Sequence, residues 1–341
     1  MNNTVHRPAA AVHGGSGRFR APAHPGRTFL LCAAAALAGG ATCSGEGGDD
    51  NPEEADGNSG AVESEGEGSD FSAMRTYYRT VVFADVSRDP TMFVPWDFEN
   101  RADAGGIHRI LRGWLGRGGT WRRFANEEWD TPPSRTPWRI LPRGSMRLVM
   151  GLNDDLRELY YLEGFRDLSV QPGPVMAEWS GQRGDTYRLR AGSARLSGVE
   201  YEGVVVDAYA PRVGGSDPPS EWCLLIGNGS LYLLIADLEG PGAHRAWVLR
   251  DSEETFWPAV TITWDETRSY QPGRREIPVL WGFRSDDGTL AGEIESTSSY
   301  PQKLEGEGLV LPVLVVHEVA GQVTIGDAQV AVKGFLRHLQ R

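Results

Sequence analysis

EWCLLIGNGSLYLLIADL, residues 221–238, decides the fold. An apolar run enters Gly227-Asn228-Gly229-Ser230, and a second apolar run leaves it. Asn-Gly between two such runs is a strong hairpin signal, because the tight turn needs positive φ at its central residues. The same form recurs on either side. SMRLVMGLNDDLRELYYLEG (145–164) carries two alternating runs around Asn153-Asp154-Asp155. VLWGFRSDDGTLAGEIES (279–296) turns at Asp286-Asp287-Gly288, and GQVTIGDAQVAVKGFLRHLQ (321–340) turns at Gly326-Asp327. From Tyr77 onward the apolar period is two rather than 3.6. The 43 glycines and 21 prolines punctuate the runs, and no helix of ten residues reads out beyond the N-terminal leader. The expected class is all-β.

Working outward, the strands fall into two sets. A hairpin at 145–162 is followed by PVMAEW (Pro174–Trp179), and one at 221–238 by PAVTITW (Pro258–Trp264). Each half ends on a related strand, YEGVVVDAY (Tyr201–Tyr209) and VKGFLRHLQ (Val332–Gln340). The order suggests duplication with insertions, although β-proteins also reuse the same few turns. RVGGSDPPS (Arg212–Ser220) has no apolar periodicity and is the natural seam. We therefore expect halves at 71–217 and 218–341, packed as antiparallel barrels or sandwich halves.

The N-terminus reads as an address. Four arginines and no acid precede the apolar segment Phe29–Leu37, which has the length of a signal-peptide core and is too short to span a bilayer. Residues 1–42 are the expected signal peptide. Cleavage at Ala36-Leu37-Ala38 would release a soluble protein. Cleavage before Cys43 would create a lipidated first residue, and Gly40-Ala41-Thr42 supplies the small residues such a site needs without its usual leucine. Residues 44–70 hold ten acids, no base and almost nothing to bury. That composition predicts a disordered, self-repelling spacer over 43–70. Together these features favour export to a bacterial cell envelope and a lipid anchor at Cys43.

The chain carries a net charge of −12, and removing both N-terminal segments leaves the body near −6. No basic stripe forms, so nucleic acid is not an expected partner. Three cysteines (Cys32, Cys43 and Cys223) exclude a disulfide framework and a cysteine metal site. Cys223, flanked by Trp222, Leu224 and Leu225, reads as an inert buried thiol.

All eleven tryptophans lie in 71–341, five of them between Trp96 and Trp138. Most tryptophans are simply core. Here Trp96, Trp114, Trp121, Trp129 and Trp138 mix with Arg112, Arg117, Arg122, Arg123, Glu127, Glu128 and Asp130. Such a mixture suits the rim of a pocket, with apolar bodies and polar tips around an opening.

Catalytic signatures are absent from the sequence. His108, His244, His317 and His338 match no metal-ligand spacing, and there is no nucleophile elbow, P-loop or dinucleotide fingerprint. No metal or cofactor is expected. His317 and Glu318 should face opposite sides of a strand, and His338 should face solvent. Glu127, Glu128 and Asp130 are candidate acid–base groups, since carboxylates beside aromatic surface can have raised pKa values. A solvated charge cluster is the plainer alternative.

Taken together, the hairpins, the two unequal halves and the closing VKGFLRHLQ strand resemble the lipocalin-like carotenoid-hydratase superfamily over roughly 140–341. The resemblance implies two packed calycin-type antiparallel barrels with an apolar pocket. In some members acidic side chains add water across a carbon–carbon double bond. In this chain EGVVVDAYAPR replaces the expected Gly-x-x-Trp-x-Asp/His signature, so Asp207 is the residue placed to serve as the acid, without a preceding tryptophan. The leading expectation is a barrel that binds an apolar small molecule such as a lipid or isoprenoid. The alternatives are a ligand-free envelope scaffold and a hydratase or hydrolase using pocket carboxylates. No protein partner is indicated.

Overall fold

The computed structural model describes residues 74–341 except 164, 165, 182, 215, 217, 218, 229 and 238–243. The signal segment, the acidic spacer and Cys43 lie outside the described residues. The described residues belong to one compact unit.

Among the described residues, seventeen antiparallel strands make two sheets. The first nine are β1 (Arg75–Asp85), β2 (Met92–Ala102), β3 (Ile107–Arg117), β4 (Thr120–Thr131), β5 (Met146–Met150), β6 (Leu156–Glu163), β7 (Arg166–Ser180), β8 (Thr186–Leu196) and β9 (Val199–Val213). They form a curled half-barrel in the order β4-β3-β2-β1-β9-β8-β7-β6-β5. The remaining eight are β10 (Glu221–Gly227), β11 (Leu231–Asp237), β12 (His244–Arg250), β13 (Glu253–Tyr270), β14 (Arg275–Ser285), β15 (Leu290–Lys303), β16 (Val313–Ile325) and β17 (Ala328–Gln340). These close into a barrel, β17 pairing back onto β10. The all-β class and the predicted hairpins are observed: β5–β6, β10–β11, β14–β15 and β16–β17 each pair as neighbours.

In both halves the last strand lies beside the first, β9 on β1 and β17 on β10. Both closing strands need glycine at the crossing. A Cβ at Gly203 would stand 2.3 Å from the Ala84 carbonyl oxygen, and one at Gly334 would stand 2.0 Å from that of Leu224. The halves do not correspond strand for strand. PVMAEW lies in β7, directly after the β5–β6 hairpin, whereas β12 intervenes between the β10–β11 hairpin and PAVTITW in β13.

The first sheet stays open because β4 and β5 do not pair. Between them Pro132, Pro133, Pro137 and Pro142 remove the N–H donors that a ladder needs. The connecting segment is fastened instead by side chains: Asn100 Nδ2 donates to the Pro137 and Arg139 carbonyls at 3.0 and 3.2 Å, and Arg109 Nη1 to the latter at 2.8 Å.

Burial separates three main cores. Val81, Phe83, Trp96, Phe98, Leu159 and Val205 fill the half-barrel. Cys223, Leu225, Leu233, Trp281, Phe283 and Leu336 fill the closed barrel. The third core joins the two, burying the outer face of β1, β8 and β9 against β10, β11, β12, β16 and β17. Its centre is aromatic. Phe93 and Trp121 both meet Phe335, Trp222 lies 5.5 Å from Phe335, and Tyr187 bridges Trp222 and Trp247.

Candidate functional site

Residues opposite one another in an antiparallel sheet share a face. On the outer face of the half-barrel one such row runs Tyr187, Ala208, Thr80, Asp97, Arg112, Asn126, from β8 to β4. This row faces the closed barrel and lines two openings along the seam. At one end Tyr187, Ala208 and Thr80 join Tyr78, Tyr209, Trp222 and Arg337 around a crevice. Its space of about 20 Å3 suits a single water-sized guest, so this end is a packed joint. At the other end Arg112 and Asn126 line a solvent-open cleft of about 570 Å3. That volume falls in the range of small-molecule sites.

Asp97 and Arg337 stand between the two openings. Arg337 Nε lies 3.3 Å from Asp97 Oδ1, and Thr80 Oγ1 donates to the same carboxylate oxygen at 2.7 Å. Both charged side chains are buried.

The cleft has one wall from each sheet. On β3 and β4 stand Arg112, Arg123, Asn126 and Glu128; opposite them are Gln302 and Lys303 of β15 and the connection that follows. That connection is held by Leu304 N–H donating to the Pro312 carbonyl at 2.8 Å and Leu311 N–H donating to that of Gly273 at 3.0 Å. Gln302 Nε2 reaches Asn126 Oδ1 across the gap at 3.2 Å. Leu304 and Leu311 add apolar surface. Arg112 is the buried group in this wall: its side chain is only 7% exposed.

The sequence-derived candidates separate. Glu128 lines the cleft, 4.0 Å from Arg112. Glu127 falls on the opposite face of β4, and Asp130 pairs with His108 at 2.9 Å, its side chain 84% exposed. The three carboxylates do not converge, because strand alternation turns Glu127 away from its neighbours. Asp207 lies on the inner face of β9. Arg79 Nε and Nη2 donate to its two oxygens at 2.8 and 2.7 Å. Burial opposes the charge on Arg79, but Asp207 outweighs it and raises the guanidinium pKa. Forked in this way, both carboxylate oxygens of Asp207 are taken up as acceptors.

The five tryptophans occupy different surroundings. Trp96 is half-barrel core, 4.8 Å from Phe124. Trp114 and Trp121 belong to the joint between sheets, where Trp121 Nε1 donates to Ser298 Oγ at 3.0 Å. Trp129 lies beneath the Arg143 guanidinium, and half-exposed Trp138 rests on Tyr77. They form no common rim.

A polar belt inside the closed barrel has no counterpart in the sequence expectations. His338 Nδ1 meets Glu221 Oε2 at 2.8 Å, and His317 Nδ1 meets Ser296 Oγ at 2.9 Å. Both imidazoles are almost wholly buried, His317 against the edge of Trp281 and His338 against that of Trp264. Desolvation, with His338 adding to it, holds the His317 pKa well below the usual histidine value. Desolvation also lowers that of His244. The expectation that His338 faces solvent is corrected. Phe335 and Leu339 alternate onto the other sheet, leaving Leu336 and His338 inside. His317 and Glu318 do face opposite ways: Glu318 accepts from Thr91 and Ser298 at the seam. Among the described residues no three His, Cys, Asp or Glu side chains are grouped to hold a metal ion.

No protein-family model matches the sequence, and no curated protein matches it by sequence. Solved structures superpose on it. An AttH-type protein from Nitrosomonas europaea superposes with a TM-score of 0.51 at 12% identity, covering 79% of this chain and 92% of that one. Kievitone hydratase from Nectria haematococca gives 0.49 at 13% identity, covering 77% and 87%. CghA, in complex with Sch210972, gives 0.46 at 10% identity, covering 79% and 89%. The chain shares the fold of that AttH-type structure, and at 12% identity the likeness concerns fold alone.

Proposed function

We propose that this chain binds an amphipathic small molecule in the cleft between β3–β4 and the β15–β16 connection. The observation that carries the reading is the cleft's size, about 570 Å3, with Leu304 and Leu311 beside Arg112 and Asn126. Both sheet interiors are filled by packed side chains, which favours a site at the seam over one inside a barrel. The anchor is part of the same proposal: lipid on Cys43 and the acidic spacer would hold the cleft at a bacterial envelope. Palmitate labelling that vanishes in Cys43→Ser supports the anchor, and labelling that persists removes it.

The cleft is tested with the full chain and the neutral probe Nile red. Binding should enhance probe fluorescence and saturate. Asn126→Trp, an exposed position on the cleft wall, should abolish the response without changing Tm. An unchanged response in Asn126→Trp would overturn the assignment.

A further inference from the structure

We infer that the cleft recognises an oxyanion, a carboxylate or phosphate group on its small-molecule ligand, through the guanidinium of Arg112. This rests on the cleft being the ligand site. Arginine carries five donors in a planar fork, and burying it without acceptors is costly. Arg112 is buried, yet its Nε has no hydrogen-bond partner among the described residues. Its neighbouring carboxylates stand at 3.9 Å (Glu99) and 4.0 Å (Glu128), beyond hydrogen-bond distance. Glu99 is already committed, accepting from Arg101 Nε at 2.7 Å. The opposite edge of the Arg112 row is different. Its neighbour Asp97 is bonded by Thr80 and Arg337 instead. Arg112 thus lines the 570 Å3 cleft with Nε unpartnered among the described residues and its two carboxylate neighbours at a distance.

The surrounding charge suits the same ligand. Arg112, Arg123 and Lys303 line the cleft against Glu128 and Glu305. Among the described residues Arg123 Nη1 donates to Asn126 Oδ1 at a long 3.5 Å, on an exposed position from which it would turn onto a second oxygen. The oxyanion would replace Glu128 as the nearest negative group to Arg112. Leu304 and Leu311 would then meet the apolar remainder of the molecule.

Calorimetric titration of the full chain with hexanoate, hexan-1-ol and inorganic phosphate tests this. Hexanoate should bind at least about tenfold more tightly than hexanol, the scale of a charge-assisted fork. Arg112→Gln should erase that preference, and Arg112→Lys should keep part of it. Arg123→Gln, on the surface, should weaken hexanoate about two- to fivefold, and Glu128→Gln should strengthen it by a similar factor. Phosphate displacing hexanoate identifies a general oxyanion site; phosphate failing to compete narrows the inference to carboxylates. Equal binding of hexanoate and hexanol, or a preference that survives both Arg112→Gln and Arg112→Lys, overturns it. If Nile red still binds in a manner blocked by Asn126→Trp, the cleft reading stands and only the oxyanion falls.

Discussion

Asp97 on β2 and Arg337 on β17 form a buried ion pair across the joint between the two sheets, with Nε and Oδ1 3.3 Å apart. Thr80 Oγ1 completes the carboxylate's shell, and Arg337 also reaches the Pro219 carbonyl beside the seam. Removing one partner strands the other in a buried interface. Asp97→Ala or Arg337→Ala should each cost about 3–5 kcal/mol in denaturant unfolding. The pairwise replacement Asp97→Leu with Arg337→Met should recover most of the loss. A near-zero effect of either single change would show that water reaches the pair.

The closing strands set a second, steric requirement. Gly334→Ala drives a Cβ to within 2.0 Å of the Leu224 carbonyl oxygen, and that neighbour is backbone. The β10–β17 ladder must shift to relieve it. A loss of about 3 kcal/mol or more is expected, at the upper end of overpacking costs. Gly198→Ala, at a positive φ but with nothing within 4 Å, should cost less. Thermal unfolding of the two variants checks the ranking.

Acid should loosen the closed barrel. The folded-state pKa of His317 is depressed by burial, with His338 adding to the shift. Below the unfolded histidine value of about 6.5 the unfolded chain therefore binds the extra proton, and stability falls as pH falls. The contribution is complete above that value. Comparing Tm at pH 7.5 and pH 5 should show a steeper decline in the native chain than in His317→Asn. Parallel pH profiles would remove His317 as the source.

Cys223 should be chemically silent in the folded protein. Burial, and Glu221 nearby, push its pKa upward, so the reactive thiolate is suppressed. With Cys32 and Cys43 replaced by serine, a thiol reagent should register no reaction until denaturant unfolds the chain. Prompt reaction under native conditions would contradict the burial.

Much of the architecture was legible from local chemistry. Gly227-Asn228-Gly229-Ser230, Asp286-Asp287-Gly288 and Gly326-Asp327 announced hairpins because turn geometry depends on a few adjacent residues. The facing of individual strands was harder to read. β17 is buried on both sides, Phe335 and Leu339 against one sheet and Leu336 and His338 against the barrel interior, so alternation no longer separates inside from outside. That is why His338 read as solvent-facing and the belt around Glu221 went unseen.

The candidate site divides in the same way. Local pattern establishes an all-β chain and singles out the β3–β4 stretch with its arginines, glutamates and tryptophans. Only the tertiary structure decided that Trp96 and Trp114 are core while Arg112 and Glu128 open onto a cleft. It also decided that the cleft's other wall is Gln302, Lys303 and the connection after them. Local patterns set the strands because each strand's hydrogen bonds and alternation are properties of neighbouring residues. The cleft depends on a contact between residues some 176 positions apart, Asn126 and Gln302, and no periodicity within either strand encodes which distant strand will stand opposite it.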